Sequence, residues 1–237
     1  MESTVDKLDS VKQRIAAAAV KSGRNADDVR MVAVTKYSAV GDGFLESLLD
    51  AGCLDFGEAR PQLLAEKADF LAAKNIENVR WHLIGPLQRN KIRRVLCICN
   101  MIHSIDSVRL LEAIDRIVIE ESLKNVPDLL LEINISGDSC KQGLMPNELP
   151  GFLEKIAGLS NVKISGLMGM SGLDSNDSER RREFQTLRKL RDTFSSQTPD
   201  NVSLHELSMG MSDDFESAIE EGATIVRIGS ILHAQAG

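Results

Sequence analysis

The sequence predicts one α/β domain of the (β/α)8 TIM-barrel type. Three observations carry this: short apolar runs alternate with longer amphipathic stretches, eight such units fit into 237 residues, and the fingerprints of open nucleotide-binding sheets are missing. A parallel crossover needs a long connection, usually a helix, so strict strand–helix alternation reads as a parallel sheet. Eight units in roughly 250 residues is the size of a closed barrel. A doubly wound open sheet is the runner-up. Against it, the first strand-to-helix turn, Lys36-Tyr-Ser-Ala-Val-Gly-Asp-Gly43, has no G-x-G-x-x-G, and G-x-x-x-x-G-K-[ST] occurs nowhere.

Taken in order, residues 1–24 form a helix packed outside the barrel, because Val5, Leu8, Val11, Ile15 and Ala18 recur at three- and four-residue spacing. Strands are expected near 30–36, 54–57, 81–85, 101–105, 129–135, 163–168, 203–207 and 223–228. Helices are expected near 42–51, 60–74, 88–96, 107–123, 146–158, 176–195 and 213–221. In the helix at 176–195, Phe184, Leu187, Leu190 and Phe194 make one stripe, while Arg180, Arg181, Arg182, Lys189 and Arg191 read as a solvated face. No linker separates these elements, so residues 1–237 read as a single domain. Ser171-Gly-Leu-Asp-Ser-Asn-Asp-Ser178 reads as its mobile loop.

Composition narrows the function classes. Lys and Arg number 28 against 35 Asp and Glu, a net charge of −7, the wrong sign for a general nucleic-acid binder. No run of eighteen apolar residues and no secretory start occur, so a cytoplasmic protein without membrane contact is expected. Cys53, Cys97, Cys99 and Cys140 lack metal-ligand spacing and read as mostly buried thiols. A chain of this length buries about 70–75% of its unfolded surface, enough for a core without disulfides.

The chemistry concentrates where a barrel keeps its reactive groups, at the C-terminal ends of the strands. Lys36 closes the first strand, Ser208 to Ser212 follow the seventh, and Gly229-Ser230 follow the eighth. A lysine forms a Schiff base only when unprotonated, and desolvation in a barrel mouth favours that form. Glycine lets backbone N–H groups approach a phosphate. Gly229-Ser230 is the favoured cradle, with Ser208 and Gly210 adding donors from the side, since Asp213 and Asp214 would repel an anion at the preceding helix. A phosphorylated aldehyde fits this set.

Duller readings stand beside these. On its own Lys36 reads as a strand's exit into solvent, Gly229 as a tight turn, and Arg227 as the partner of Glu58 or Glu206. Ser212 reads as the N-cap of the helix carrying Phe215, Ala218 and Ile219. Met168, Met170, Met209 and Met211 read as core filler, and His82, His103 and His205 as satisfied core or rim histidines.

The segments Val32-Ala-Val-Thr-Lys36, Phe56-Gly-Glu58, Trp81-His-Leu-Ile-Gly-Pro-Leu-Gln88 with Asn90-Lys91, His103-Ser-Ile-Asp106, Asn134-Ile-Ser136, Gly166-Leu-Met168, Leu207-Ser-Met-Gly-Met-Ser-Asp213 and Val226-Arg-Ile-Gly-Ser230 span nearly the whole chain. Together they resemble the pyridoxal phosphate homeostasis family, also called the proline-synthetase-co-transcribed family. The resemblance implies a barrel like the N-terminal domain of alanine racemase without the second, β-rich domain. It implies pyridoxal 5′-phosphate (PLP) as cofactor, with Lys36 carrying the Schiff base, Arg227 addressing the pyridine nitrogen and Gly229 with Ser230 holding the phosphate. Met168, Ser208 and Gly210 complete the expected cofactor contacts.

It further implies a monomer that buffers PLP in vitamin B6 homeostasis, with PLP-dependent apo-enzymes as partners and no catalysis of its own. Two departures stand out: Ala59-Arg60-Pro61 replaces the family's asparagine and aromatic residue, and Leu232-His-Ala-Gln-Ala-Gly237 replaces its usual ending, leaving His233 exposed. The competing readings are a PLP enzyme such as a racemase, with Tyr37 or His82 as second proton acceptor, and a class I aldolase-like barrel using Lys36 on a sugar phosphate.

Overall fold

Strands β1 (Arg30–Val34), β2 (Asp55–Glu58), β3 (Arg80–Leu83), β4 (Cys99–Ile105), β5 (Asp128–Ile133), β6 (Ile164–Gly169), β7 (Val202–Ser208) and β8 (Ile225–Ile228) form a closed barrel in chain order. The computed structural model describes residues 3–138 and 141–233. Every neighbour pairs parallel, and β8 closes on β1 with Val32 opposite Arg227 and Ala33 opposite Ile228. The helices are α1 (Thr4–Lys21), α2 (Phe44–Asp50), α3 (Pro61–Ala72), α4 (Ile92–Leu96), α5 (Val108–Glu120), α6 (Leu149–Ile156), α7 (Asp177–Phe194), α8 (Phe215–Glu220) and α9 (Ser230–His233). Among the described residues, no helix is long and apolar enough to cross a membrane.

Strand residues alternate between two cores. Val32, Met101, Leu130, Met168 and Ile225 fill the barrel's interior. Ala33, Ile102, Leu129, Leu131, Leu167, Val226 and Ile228 face the helices in a larger core. Burial on both sides explains why these strands read as continuous apolar runs.

The expected elements recur with shifted ends. The first strand stops at Val34, so Lys36 sits in the following turn. The helix expected from residue 42 starts at Phe44, because Gly43 takes the left-handed conformation at φ 86°. The helix expected at 88–96 is split into a 3-10 turn at Arg89–Lys91 and the short α4.

Helix α1 starts on a capping box between Ser3 and Asp6 and buries Leu8, Val11, Ile15, Ala18 and Ala19 against α8 and α2. Val5, expected on that face, is exposed in the first turn. Just beyond α1, Arg24 donates to the carbonyls of Ile219 (2.7 Å) and Ala223 (2.9 Å), binding the end of α8.

The basic face of α7 is not simply solvated: Arg181 pairs with Glu220 at 2.6 Å, and Arg188 with Glu221 at 3.2 Å, tying α7 to α8. Cys53 and Cys99 are buried, whereas Cys97 is exposed. Cys140 lies outside the described residues.

One buried ion pair was not visible in the sequence. Lys67 of α3 points its Nζ at Glu58 Oε2 (2.7 Å) and at the carbonyl of Thr35 (2.6 Å), and both charged side chains are fully buried. The other oxygen of Glu58 accepts the Ala59 N–H at 2.8 Å. The pair thus ties the ends of β1 and β2 to α3, directly behind Lys36.

Removing one partner strands the other charge, so Lys67→Met is expected to cost about 3–5 kcal/mol in denaturant unfolding, and Glu58→Gln combined with Lys67→Met to cost less. Equal losses in both would show that the charges do not depend on each other. For α1, Leu8→Ala is expected to destabilise by about 2–5 kcal/mol in the same measurement. A negligible change would mean that the helix is loosely attached.

Candidate functional site

At the C-terminal end of the barrel, Lys36, Arg227, Gly229 and Ser230 line one cavity of about 300 Å³. Val34, Tyr37, Ala59, Ile84, Met170 and Met211 supply its apolar walls, and Ser212 and Asp213 its rim. The volume is at the lower end of the range for small-molecule sites. Strand alternation explains the composition: Arg227 is two residues beyond the inward Ile225, and Met170 two beyond the inward Met168.

The lysine is not buried as expected. Lys36 is exposed, with Nζ 4.9 Å from the centre of the Tyr37 ring. Ending β1 at Val34 leaves its side chain on the rim of the mouth, so the protein alone does not desolvate the amine.

Arg227 is buried and donates from Nη1 to Ser208 Oγ (2.6 Å) and from Nη2 to the Gly169 carbonyl (3.1 Å). Burial lowers its pKa to about 10, opposed by Asp214 and Glu132. Neither carboxylate considered as its partner is used: Glu58 is held by Lys67, and Glu206 accepts from Thr224 and pairs with Arg30.

Gly229 sits against β1, where an added Cβ would lie 3.2 Å from the Val34 Cβ, so glycine permits the close approach. Its N–H donates to Ser212 Oγ at 3.2 Å, and the Ile231 N–H reaches the same oxygen at 3.5 Å. Ser212 is therefore not the N-cap expected from the sequence. Asp214 precedes α8 instead, and its buried carboxylate accepts from the Met211 N–H and the Ser171 hydroxyl, both at 2.6 Å. The loop thereby turns Ser212 toward α9, where backbone donors converge on an oxygen. Ser230 opens α9, whose Leu232 and His233 N–H groups bond back to the Gly229 carbonyl while that of Ile231 turns to Ser212.

Three other expected contacts fall elsewhere. Met168 is buried in the barrel interior below the cavity, and Met170 takes the wall position. The Ser208 hydroxyl is engaged by Arg227 and by His103 Nδ1 at 2.8 Å, so it supports the arginine rather than an anion. Gly210 adopts φ 93°, its carbonyl accepts the Arg227 N–H at 3.0 Å, and an added Cβ would clash with Ala218 at 2.6 Å. It is a glycine of turn and packing.

His233 is half-buried rather than exposed: Nε2 donates to the Val34 carbonyl at 3.1 Å and the ring stacks on Phe44. Residues 234–237 of the atypical ending lie outside the described residues. Ala59, where the sequence departs from the family, lines the cavity. His82 is buried inside the barrel, away from the lining, whereas Tyr37 belongs to it.

Sequence reasoning missed Glu132. It follows Leu130 on the inner face of β5, its carboxyl makes no hydrogen bond among the described residues, and burial together with Asp106 pushes it up to about 7 against the pull of Arg227. The available signal was an acid inside the apolar run Leu129-Leu-Leu-Glu-Ile133.

The family model described as alanine racemase, N-terminal domain, matches residues 7–235. A pyridoxal phosphate homeostasis protein of Synechocystis is 40% identical, over 86% of this chain and 90% of its own length. One of Aquifex aeolicus is 36% identical over 97% of both. The structure of PipY from Synechococcus elongatus, with PLP bound, superposes at a TM-score of 0.79 with 32% identity, over 94% of this chain and all of that one. A chain that carries the racemase-type barrel over nearly its whole length, and matches these relatives over most of theirs, belongs to the family of the pyridoxal phosphate homeostasis proteins.

Proposed function

We propose that the chain binds PLP at the mouth of the barrel and serves intracellular vitamin B6 homeostasis, with Lys36 supplying the amine for a Schiff base. The observation that carries this reading is the convergence of Lys36, Arg227, Gly229 and Ser230 on one cavity. PipY, 32% identical over its full length, is a PLP-bound relative.

The residues present fit the cofactor. Two backbone N–H groups, of Gly229 and Ile231, already aim at a single oxygen, that of Ser212. A phosphate oxygen accepts the same donors with more charge, and Ser230 adds the neighbouring N–H. The cofactor supplies an aldehyde on a ring that can act as an electron sink. Arg227 can only donate, so it would hold a facing ring nitrogen unprotonated and weaken that sink. Carriage of the cofactor suits such a site better than carbanion chemistry. The cytoplasm is the proposed compartment, the monomer the proposed form, and PLP-dependent apo-enzymes the proposed recipients.

Incubation with excess PLP is expected to give a visible absorbance band that borohydride fixes onto Lys36 and that Lys36→Ala lacks. A colourless wild-type protein would reject the reading. Tyr37 in the cavity wall leaves a racemase reading open to test: the carrier predicts no exchange of an α-hydrogen across a panel of amino acids in deuterated solvent, and rapid exchange would favour the enzyme.

A further inference from the structure

Below the cavity, five strands each lend a side chain to one unbroken hydrogen-bonded row through the barrel. From β8 to β7, Arg227 Nη1 meets Ser208 Oγ at 2.6 Å; from β7 to β4, Ser208 Oγ meets His103 Nδ1 at 2.8 Å. His103 Nε2 then meets His82 Nδ1 of β3 at 3.0 Å, and His82 Nε2 meets Asp55 Oδ1 of β2 at 3.0 Å. Arg80, half-exposed at the start of β3, grips the same carboxylate, with Nε 2.8 Å from Oδ1. Inside the row, Asp55, His82, His103, Ser208 and Arg227 are all buried.

Elementary donor and acceptor chemistry gives the row a direction. Arginine only donates, so Ser208 Oγ accepts from Arg227 and turns its one O–H to His103 Nδ1. A neutral His103 then carries its proton on Nε2 and donates it to His82 Nδ1. His82 in turn carries its proton on Nε2 and donates it to Asp55. With both rings neutral, the reverse direction would set an unprotonated His82 nitrogen against a carboxylate.

The surroundings support neutral rings. Burial lowers the pKa of His82 against the pull of Asp55, with Arg30 and Arg80 lowering it further. Burial also lowers that of His103 strongly, helped by His82, Arg227 and Arg30. Burial raises Asp55, but the hydrogen bonds from Arg80 and His82 outweigh it and hold the carboxyl at about 2. Around Arg227, the acidic groups are Asp214 and Glu132.

We propose that His103 and His82 are positioning residues for Arg227. As two neutral imidazoles locked in the Nε2–H form, they keep Ser208 turned to accept from the guanidinium and fix its remaining donors toward the cavity. The row links Asp55 and Arg80, at the strands' N-terminal ends, to the mouth at the opposite end. Its effect on a bound ring rests on the PLP reading; the tautomers do not.

The test is histidine-selective nitrogen NMR on the full chain without PLP, paired with PLP titration by absorbance. The expected result is that His82 and His103 both show the Nε2–H form and do not titrate between about pH 5 and 8, where a free imidazole would. His103→Phe is expected to release the His82 tautomer, weaken PLP binding about tenfold, a change of about 1.4 kcal/mol, and shift the pH profile of the visible band. His103→Asn, whose Oδ1 can still accept from Ser208, is expected to keep most of the affinity. A doubly protonated His82, a proton on His103 Nδ1, or a His103→Phe protein with unchanged band and affinity would overturn the proposal. If His103→Phe fails to fold, the wild-type tautomers decide. Wild-type protein with the expected tautomers but no PLP band would support the row and refute the proposed ligand.

Discussion

The pairing of β8 with β1 is the constraint from which the site follows. It joins residues nearly two hundred positions apart in register, with Val32 opposite Arg227 and Ala33 opposite Ile228. That register brings the Gly229 turn against Val34 and thus beside Lys36. It tolerates little error: a slip of one residue would swap the inner and outer faces of β8, sending Arg227 into the apolar layer beneath the helices. Closure of the barrel and assembly of the site are therefore one event.

Inside the barrel, polarity rises toward the mouth. The apolar layer of Val32, Met101, Leu130, Met168 and Ile225 is followed, two residues further along their strands, by His103, Glu132 and Arg227. Burying a guanidinium is costly unless its donors are satisfied. Ser208 and Gly169 satisfy part of Arg227, and the histidine row fixes Ser208 in turn. Arg227 lines the same cavity as Gly229 and Ser212, and the Gly229 and Ile231 N–H groups converge on the Ser212 hydroxyl there. This distribution suits a ligand with an acceptor nitrogen at one end and an anion at the other, which is the chemistry of the proposed cofactor.

A second polar element works outside the barrel wall. The Glu58–Lys67 pair fixes the turn after β2 and the carbonyl of Thr35, immediately before Lys36. Because Lys36 itself stands exposed, its position depends on this support and on the packing of Tyr37, Phe44 and His233 around the same turn. Placement of the amine and placement of the arginine thus rest on separate networks.

Much of the architecture was legible in the chain. Period-two and period-3.6 patterns report which face is buried, a local property, so each strand and the apolar stripe of α1 could be read directly. The lysine after the first strand and the glycine after the last were legible too, since a barrel brings such ends together. The dual engagement of Ser208, the turning of Ser212 toward α9 and the partnership of Lys67 with Glu58 were not. Each depends on where a side chain from a distant segment points, which alternation alone does not specify. The sequence by itself determined the alternating elements, hence the barrel and the strand ends where chemistry gathers. Only the tertiary structure decided which polar groups meet there, because hydrogen-bond partners inside a closed sheet are chosen by register and rotamer across several strands at once.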